Sequence, residues 1–419
     1  MASIVREIPL NKRGRPSSGG AVQFMQKKQK IRVGIIFGGK STEHEVSLQS
    51  AKNVVAALDK EKYETVLIGI DKTGRWLKSS GANYLLHSEN PKLIALNKKA
   101  AQGMVLVPGE EKQLMMLQGG EGNQALDVVF PVLHGPLGED GTMQGLLKLM
   151  DIPFVGPSVL GSAVGMDKDV QKRLLRDAGI PIARFLVWRR EDVGGHSPFV
   201  KGSTRRLLPA PRLRQAGRRE GFSFAQAKKE LGLPFFVKPA NAGSSVGVSK
   251  VKTEADFESA IANAFKYDSK ILIEEGIDGR EIECAVLGNE DPVASVPGEI
   301  KPNHEFYSYE AKYIDENGAV AEIPAKLSKE VTKKVQETAV AAFKVLECEG
   351  MSRVDSFVTK DGRVLVNEIN TIPGFTKISM YPKLWEASGI PYPKLIDTLI
   401  TLALARAKRE KRIQTNFSS

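Results

Sequence analysis

The chain contains few cysteines and lacks long apolar runs. Among its 419 residues, Cys284 and Cys348 lie far apart and outside any Cys-x-x-Cys spacing. Neither a structural zinc site nor a disulfide framework is therefore expected, and both residues are predicted to be reduced, buried thiols. No segment approaches the roughly 18 consecutive apolar residues of a membrane span, and the N-terminus lacks the apolar core of a secretory signal. These absences predict a cytoplasmic protein without a membrane partner.

The positive charge of the chain is unevenly distributed. The net charge is +11, but residues 1–30 carry +6, residues 189–220 carry +6 and residues 406–412 carry +4. The rest of the chain is therefore acidic, at about −5. Because the basic residues lie in appendages, specific nucleic-acid binding is disfavoured, although these segments could contact phosphate backbones nonspecifically.

Strand-like and helix-like segments alternate in the first part of the chain. With 42% hydrophobic residues, the chain is long enough for two to three domains. The apolar runs at 31–37 and 64–70 flank a helical pattern over 45–58, which indicates a βαβ unit, and a further buried strand is predicted at 127–133. This alternation, with another strand at 153–157, predicts a parallel α/β domain over residues 31–158.

Two segments show no hydrophobic period. Residues 1–30 are polar and basic and are predicted to be a disordered tail. Residues 189–221 are rich in Arg, Gly and Pro and indicate an insertion or linker. This insertion is interpreted as a disordered loop, a contact for a partner, or a shifted reading frame restored downstream, and the sequence leaves the three open.

A stretch of small residues follows a predicted helix at 223–231. Residues 234–250 have the pattern of a strand, a loop and a second strand, and the loop at 241–247 consists almost entirely of small residues. Such a loop lets backbone N–H groups surround an anion, and Lys238 on the incoming strand reaches the same phosphates. The alternative is a plain Gly/Ser hairpin turn.

Two further segments suggest a nucleotide site. The apolar strand from 270 ends in acidic residues and is followed by another strand after Asp278-Gly279, which makes Glu274 and Glu281 candidates for the adenine edge and the ribose hydroxyls. Ordinary surface acids are the alternative. The aromatic segment 306–313 is predicted to be a lid, with an edge strand as the alternative.

A hairpin near the C-terminal end is predicted to place two carboxylates opposite each other. Asp361-Gly362 between two β-branched runs favours a two-residue turn, so that Lys360 pairs with Arg363. The same register sets Asp355 opposite Glu368 and Arg353 opposite Asn370. Like charges in opposition destabilise a strand pair unless a cation joins them, and Mg²⁺ or Mn²⁺ prefers these oxygen ligands. The alternatives are a solvated face with Arg353 bridging the acids, or a bulge that spoils the register.

Two loops of the first domain are predicted to meet at one edge of its sheet. Residues 38–45 and His134-Gly135 follow buried strands, and ligands of such sheets bind beyond the carboxyl ends of the strands. Gly38-Gly39 matches neither a full dinucleotide fingerprint nor a P-loop. Glu45 opens a helix, where a capping role is the alternative to a binding role. A lone residue such as His134 is more often a hydrogen-bonded structural histidine than a catalyst.

Taken in order, these motifs resemble those of the ATP-grasp enzymes and, more closely, those of the D-alanine–D-alanine ligase family over nearly all of residues 31–404. The matching strings are Glu43-His-Glu-Val-Ser-Leu48, His134-Gly135, Gly138-Glu-Asp-Gly141, Phe236-Val-Lys-Pro239, Gly243-Ser-Ser-Val-Gly247, Tyr309-Glu-Ala-Lys-Tyr313, Arg353-Val-Asp355 and Asn367-Glu-Ile-Asn-Thr-Ile-Pro-Gly374.

The resemblance implies an α/β and α+β architecture. It consists of a Rossmann-like pre-ATP-grasp domain over 31–158, a central ATP-grasp subdomain over 159–274 and a C-terminal subdomain over 275–404, with a basic tail at 405–419. It also implies that the protein joins two D-alanine molecules, using ATP, through an acyl phosphate for peptidoglycan precursor synthesis. A homodimer using Mg²⁺ or Mn²⁺, with two ions, is expected.

The resemblance implies a role for each site residue. Phosphates and the nucleotide would be held by Lys168, Lys238, Gly243, Ser244, Ser245, Glu274, Glu281 and Lys312, and the metal by Asp355, Glu368 and Asn370, with Arg353 at the leaving phosphate. Glu45 would bind the ammonium of the first D-alanine, with Ser244 and Tyr313 as its partners and His134 nearby. The N–H of Gly374 would stabilise the oxyanion, and Ser379 and Met380 would receive the second substrate's carboxylate.

The resemblance also implies that the second nucleophile is an amine rather than a hydroxyl, because family members that make D-alanine–D-lactate tend to depart from the Glu-Ala-Lys-Tyr string, which is intact here at 310–313. A ligase forming D-alanine–D-lactate or another D-Ala-D-X product is the nearest alternative. A noncatalytic ATP sensor or a nucleic-acid-binding protein is an alternative of a different class. The sequence has no convincing Ser-His-Asp or Cys-His arrangement, and the ligase chemistry requires none.

Overall fold

The computed structural model describes residues 29–79, 83–106, 113–116, 124–193, 223–302 and 319–414. The described residues from Ile31 onward belong to one compact unit. Within these ranges, none of the helices combines the length and the apolar character needed to cross a membrane.

The first part of the chain forms a mixed sheet with helices against it. Its described strands have the order β8-β7-β6-β3-β2-β1-β9, and β4 pairs with β5 in a separate two-stranded sheet. The elements are β1 (Ile31–Gly38), α1 (His44–Ala57), β2 (Tyr63–Ile70), β3 (Trp76–Ser79), β4 (Leu85–Leu86), β5 (Ala95–Leu96), β6 (Ala101–Leu106), β7 (Gln113–Met116), β8 (Gln124–Ala125), β9 (Val128–Val132), α2 (Thr142–Leu149) and α3 (Val159–Met166).

The predicted parallel strands are confirmed at the centre of this sheet. Strand β1 runs parallel to both β2 and β9, and its residues Ile35, Ile36 and Phe37 are fully buried because both faces of the strand are covered. The sequence did not indicate the antiparallel pairing of β2 with β3, β3 with β6, and β6 with β7. The carboxyl ends of β1 and β9 meet at one edge, so the loops that follow them lie together.

The second part forms a four-stranded antiparallel sheet. Its strands have the order β10-β13-β11-β12, and the predicted strand, loop and strand at 234–250 is confirmed by the antiparallel pairing of β11 with β12. Of the insertion predicted at 189–221, the structure describes residue 189 as the end of β10 and Arg190–Val193 as a 3₁₀-helix. Residues 194–221 lie outside the described residues. The elements are α4 (Lys168–Asp177), β10 (Phe185–Arg189), α5 (Phe224–Leu231), β11 (Phe235–Pro239), β12 (Ser249–Val251), α6 (Glu254–Ala264) and β13 (Lys270–Glu275).

The third part is an antiparallel sheet with the order β17-β16-β14-β18-β19, and β15 pairs with β14. Its core contains Cys284 and Cys348, which are buried free thiols as predicted. The domain boundaries predicted at 158 and 274 stay predictions. The elements are β14 (Gly279–Gly288), β15 (Val293–Ala294), β16 (Gly298–Pro302), β17 (Ala319–Glu322), α7 (Lys329–Val345), β18 (Gly350–Thr359), β19 (Val364–Asn370), α8 (Met380–Ala387) and α9 (Tyr392–Glu410).

The hairpin of β18 and β19 has the predicted pairs at its far end but not at its turn. Asp355 lies opposite Glu368 and Arg353 opposite Asn370, as predicted. The predicted pairing of Lys360 with Arg363 is wrong, because Thr359 N donates to the Arg363 carbonyl at 3.0 Å and residues 360–362 form a three-residue loop.

A β-bulge compensates for the longer turn. Ser356 lies opposite Val366 whereas Asp355 lies opposite Glu368, so Asn367 is an extra residue on β19. The three-residue turn shifts the strand pairing by one residue from the predicted register, and the bulge shifts it back by one. The predicted register is therefore correct at the acidic pair. The bulge also places two consecutive side chains, Asn367 and Glu368, on the wall of the same cleft, which a regular strand does not do.

Candidate active site

A cleft of about 220 Å³ lies between the second and third sheets. Its floor comes from β11 and β13, one wall from the loop after β11, and the opposite wall from β14, β18 and β19. The cleft brings together eight of the predicted site residues, which are Lys168, Lys238, Gly243, Ser244, Ser245, Glu274, Glu281 and Glu368.

The loop after β11 has an unusual backbone. Ser244 and Ser245 both adopt positive φ values, 51° and 59°, in the left-handed region that non-glycine residues rarely occupy. Gly243 accepts from Val246 N at 3.0 Å, which tightens the loop into a turn. Lys168, the first residue of α4, reaches over this loop and donates from Nζ to the Ala242 carbonyl at 2.8 Å. The loop is thus held in a compact form with an ammonium group beside it.

Three buried charges form a cluster beneath the cleft. The Glu274 carboxylate forms ion pairs with Lys172 through Oε1 and with Lys238 through Oε2. Burial alone would raise the pKa of Glu274, but the two ammonium groups outweigh it and hold that pKa below its usual value. Burial lowers the pKa of Lys172, and Glu274 opposes that shift. Both lysines also contact the bulged residue, since Lys172 Nζ lies 3.3 Å from the Asn367 carbonyl oxygen and Lys238 Nζ lies 3.4 Å from Asn367 Oδ1.

The opposed acids of the hairpin are each held by a cation. Arg353 forms a two-point contact with Asp355, from Nε to Oδ1 and from Nη2 to Oδ2, both at 2.7 Å. Its Nε also lies 2.9 Å from Glu283 Oε2 on the neighbouring strand β14. Glu368 lies 3.3 Å from Lys168 Nζ. Asn370 donates from Nδ2 to Asp355 Oδ2 at 2.9 Å.

These residues fit a divalent cation by their donor chemistry. Asp355, Glu368 and Asn370 offer carboxylate and amide oxygens on one face of the hairpin, and Mg²⁺ and Mn²⁺ prefer such ligands. The described residues contain no cluster of three or more His, Cys, Asp or Glu side chains that could hold a metal. A cation here would therefore bind through two carboxylates and an amide, and would leave positions open for phosphate oxygens.

The substrate end of the site contains a glutamate that the sequence analysis did not select. Ser244 Oγ donates to Glu43 Oε1, and a Cβ atom added at Gly243 or at Gly135 would lie 3.2 Å or 2.6 Å from Glu43 Oε2. Glu43 is 4% exposed. Its carboxylate therefore lies between the predicted phosphate-binding loop at 241–247, here called the phosphate loop, and the loop after β9.

Ser244 contacts Glu43, whereas its predicted partner was Glu45. Glu45 lies two residues further along, within the first turn of α1, and its side chain forms an ion pair with Lys72 at 2.6 Å. Burial raises the pKa of Glu45, but the Lys72 ammonium outweighs it and leaves the pKa below its usual value. The two residues point in different directions because α1 begins at His44 and Glu43 occupies the N-cap position. The substrate-binding role predicted for Glu45 stays a prediction, and Glu43 is a second candidate for it.

His134 fastens a C-terminal segment to the first domain. Its Nδ1 lies 3.1 Å from the Ile372 carbonyl oxygen and its Nε2 lies 3.2 Å from Ser50 Oγ, which in turn accepts from Phe375 N. Because a carbonyl oxygen only accepts, Nδ1 carries the proton. Burial lowers the pKa of His134 to about 4, so the ring is neutral near pH 7. These contacts make His134 a positioning residue for the segment 371–376.

Glu139 is a second residue that holds this segment. Its two carboxyl oxygens accept from Gly135 N at 2.6 Å and from Ile372 N at 3.3 Å. Burial, reinforced by the negative charge of Glu43, raises the pKa of Glu139 above its usual value. Glu139 therefore joins the loop after β9 to the segment 371–376, which follows β19.

The segment after β19 brings Gly374 and Ser379 together. A Cβ atom at Gly374 would lie 2.7 Å from Ser379 Oγ, and Ser379 Oγ accepts from Thr376 N at 3.0 Å. The Met380 side chain is buried in the core and lies close to Gly298, so Met380 offers only its backbone N–H at the start of α8 to a ligand.

The predicted lid residues Lys312 and Tyr313 lie outside the described residues. Beyond Glu43, sequence reasoning missed Lys172, Glu139 and Asn367. Lys172 had a signal, because it follows Lys168 by four residues on α4 and so lies on the same face of that helix. Glu139 lies within a quoted motif but was given no role, and Asn367 became informative only through the bulge.

The chain is similar to known proteins over most of its length. Residues 32–157 match the family model described as the D-ala D-ala ligase N-terminus, and residues 206–401 match the D-ala D-ala ligase C-terminus. A D-alanine–D-alanine ligase of Oceanobacillus iheyensis is 54% identical over 390 residues, covering 93% of this chain and 99% of the relative. D-alanine–D-alanine ligase A of Escherichia coli K12 is 50% identical over 390 residues, covering 93% and 100%.

Solved structures are similar over the same length. The D-alanine–D-alanine ligase of Coxiella burnetii superposes with a TM-score of 0.73 at 39% identity, covering 91% of this chain and 96% of that chain. The VanG D-Ala:D-Ser ligase of Enterococcus faecalis superposes with a TM-score of 0.74 at 34% identity, covering 90% and 100%. The predicted fold class, an α/β domain followed by an ATP-grasp fold, is confirmed by these neighbours.

Proposed function

The chain belongs to the D-alanine–D-alanine ligase family, and from this premise we propose that it joins two D-alanine molecules in a reaction driven by ATP. The carboxylate of the first D-alanine attacks the γ-phosphorus of ATP, which gives an acyl phosphate and ADP. The amine of the second D-alanine then attacks the acyl carbon, loses a proton, and expels phosphate. The observation that carries this proposal is the contact between Ser244 and Glu43, because one loop thereby borders both the cleft and a buried carboxylate suited to the ammonium of an amino acid.

The nucleotide end relies on charge compensation. Lys168 and Lys238 place two ammonium groups on the cleft, and the backbone of Gly243, Ser244 and Ser245 offers N–H donors to phosphate oxygens. Glu281 on β14 lines the same cleft and is proposed to accept the ribose hydroxyls. Glu274 is proposed to lie near the adenine, from beneath, at the end of β13.

The hairpin end is proposed to hold the metal through Asp355, Glu368 and Asn370. A divalent cation, Mg²⁺ or Mn²⁺, supplies positive charge to the β- and γ-phosphates as the phosphoryl group moves. Two ions are proposed, and Asp355, Glu368 and Asn370 supply ligands for at least one of them. Arg353 keeps Asp355 in place and offers its guanidinium to the transferring phosphate.

The substrate end is proposed to recognise the first D-alanine by its ammonium. Glu43 is the buried carboxylate available there, and an opposite charge is what a desolvated ammonium requires. Glu139 lies close enough to Glu43 to influence its charge, since the negative charge of Glu43 raises the pKa of Glu139. We assign to Glu43 the role that the sequence analysis gave to Glu45.

The acyl-transfer end is proposed to lie at Gly374 and Ser379. The backbone N–H of Gly374 is proposed to donate to the tetrahedral oxyanion, because donors directed at that oxygen stabilise the transition state. Ser379 Oγ and the N–H of Met380 at the start of α8 form a small site for the second carboxylate, as helix N-termini favour anions. His134 and Glu139 hold this segment without contacting the reacting atoms.

The family resemblance further supports a homodimer that acts in the cytoplasm, in peptidoglycan precursor synthesis. The proposal is tested by incubating the protein with ATP, Mg²⁺ and D-alanine and measuring phosphate release and D-alanyl-D-alanine by mass spectrometry. Phosphate release should require D-alanine. Parallel reactions with D-serine or D-lactate added identify a D-Ala-D-X ligase. ATP binding without any D-alanine-dependent phosphate release would contradict the ligase proposal.

A further inference from the structure

The buried cluster of Lys172, Glu274 and Lys238 contains two cations and one anion. Both lysines bind the same carboxylate, one on each oxygen. The three groups differ in their access to the cleft, because Lys238 and Glu274 line it whereas Lys172 does not. The Lys172 side chain is 0% exposed, so it cannot reach a ligand.

We propose that Lys172 is a positioning residue that neutralises Glu274 from beneath and so leaves the positive charge of Lys238 available to the nucleotide phosphates. The inference rests on the proposed function and deepens it. With Lys172 in place, the cluster has an excess of one positive charge, which faces the cleft through Lys238. Without Lys172, Glu274 would keep Lys238 as its counterion, and the cluster would present no net charge to phosphate.

The contacts around Lys172 support this division of labour. Lys172 is fixed from a second side by the Asn367 carbonyl, at 3.3 Å from its Nζ. Lys238 has a longer contact of 3.4 Å to the Asn367 side chain, and the Lys238 ammonium is the one that faces the cleft. When a phosphate binds, Lys238 therefore exchanges the Glu274 carboxylate for the phosphate. Lys172 keeps Glu274 neutralised during this exchange. An ionised carboxylate left buried without a partner would oppose that exchange.

The test compares a ligand with phosphates to one without. The affinities of ADP and adenosine are measured at fixed Mg²⁺ by isothermal titration and by displacement of a fluorescent ADP analogue. For Lys172→Met we expect ADP affinity to fall about tenfold or more, and adenosine affinity to change less than about threefold, because adenosine has no phosphate for the lost positive charge to attract. Equal loss for both ligands, or no loss for ADP, would overturn the inference.

Two further variants keep the test independent of how well Lys172→Met folds. Glu274→Gln frees both lysines, so the preference for ADP over adenosine should exceed that of the wild type. Lys172→Met with Glu274→Gln restores the excess of one positive charge, so that preference should return to about the wild-type value. If the double variant prefers ADP over adenosine no more than Lys172→Met does, the inference is also overturned.

Two controls separate this inference from the proposed function. Arg176→Met removes one positive charge from the exposed face of the same helix, α4, and should leave both affinities unchanged. Wild-type protein from the same preparation is assayed for D-alanine-dependent phosphate release. If the wild type turns over and the Lys172 variant keeps the wild-type preference for ADP over adenosine, the inference is contradicted and the proposed function is not.

Discussion

Asp355 and Glu368 lie directly opposite each other on β18 and β19, and each is bound to a different cation, Arg353 for Asp355 and Lys168 for Glu368. The two cations come from different elements. Arg353 is on the hairpin itself, whereas Lys168 opens α4 and also binds the phosphate loop. The acidic pair is therefore the point at which the phosphate loop and the proposed metal hairpin are joined by charge.

Replacing Asp355 by Asn should abolish metal-supported turnover without unfolding the protein. The variant keeps the shape of the side chain but removes the charge that a cation and Arg353 require, so kcat/KM should fall by about 100-fold or more. Phosphate release at several Mg²⁺ concentrations measures this effect, and thermal unfolding checks the fold. Asp361→Asn in the exposed turn is the matched control and should keep full activity. Equal activity of the two variants would contradict the assignment of Asp355.

Glu43 and Glu45 can be distinguished by the same conservative change. Glu43→Gln removes the buried carboxylate beside Ser244, and the KM for D-alanine should rise at least about 30-fold, because breaking one partner of a desolvated charge pair costs several kcal/mol. Glu45→Gln breaks only the partly exposed pair with Lys72 and should cost less than about 1 kcal/mol of stability. Steady-state kinetics with D-alanine varied, at two ATP concentrations, measure both variants. The reverse order of effects would restore Glu45 as the substrate ligand.

Deleting Asn367 should leave the fold intact and weaken nucleotide binding. Without this residue β19 becomes regular, while Asp355 still faces Glu368 and Val366 and Ile369 still face the core. What is lost are the contacts of the Asn367 carbonyl and side chain with Lys172 and Lys238. The expected result is a thermal midpoint near that of the wild type and an ADP affinity lower by about fivefold or more, in keeping with the loss of two polar contacts to charged groups. An ADP affinity equal to that of the wild type would show that the bulge has no part in the site.

The stability of the protein should depend on pH through His134. Its pKa is lowered from 6.5 to about 4 by burial, so the unfolded chain binds a proton between those values and the folded chain does not. The stabilisation is complete above pH 6.5 and is lost as the pH falls toward 4, by up to about 3 kcal/mol. Urea unfolding at pH 7, 6, 5 and 4 measures it. His134→Gln should reduce this loss, while His87→Gln at an exposed position should not.

Arg406 should be among the costly positions for stability. It is buried and donates to the Gly156 and Phe154 carbonyls at 2.5 and 2.7 Å, with its guanidinium over the Phe154 ring. Arg406→Met leaves both carbonyl oxygens without these donors and should lower the free energy of unfolding by about 3 kcal/mol or more. Lys408→Met on the exposed side of α9 is the control and should change it by less than about 0.5 kcal/mol. Urea denaturation of both variants decides the matter.

The hairpin shows how far the sequence could predict the site. Its turn residues suggested a two-residue loop, and the true three-residue loop would have shifted every pair by one if the strand had been regular. The bulge had its own signal, because the core positions of β19 are Val364, Val366 and then Ile369, a step of three where a regular strand has steps of two. The hydrophobic pattern therefore contained the correction, and turn chemistry alone did not.

The choice between Glu43 and Glu45 shows what the sequence could not predict. Glu43 and Glu45 belong to one short string, and only the start of α1 decides which of them faces Ser244. Such boundaries are set by tertiary contacts, here by the approach of a loop about 200 residues away, and local patterns do not contain them. The antiparallel strands β3, β6 and β7 were missed for a similar reason, since they are short and extend a sheet whose centre alone has a clear pattern.

The distances along the chain between partners have a consequence for how the protein is made. Glu43 and Ser244 are 201 residues apart, and His134 and Ile372 are 238 residues apart. Contacts of such separation form late, because the chain between them must first be ordered. During synthesis the N-terminal sheet can assemble early, but its binding edge stays incomplete until the ribosome has passed residue 372. A chain interrupted before that residue would contain most of the residues proposed to bind the nucleotide but would lack the acyl-transfer segment. A nearly finished protein is therefore expected to be inactive rather than partly active.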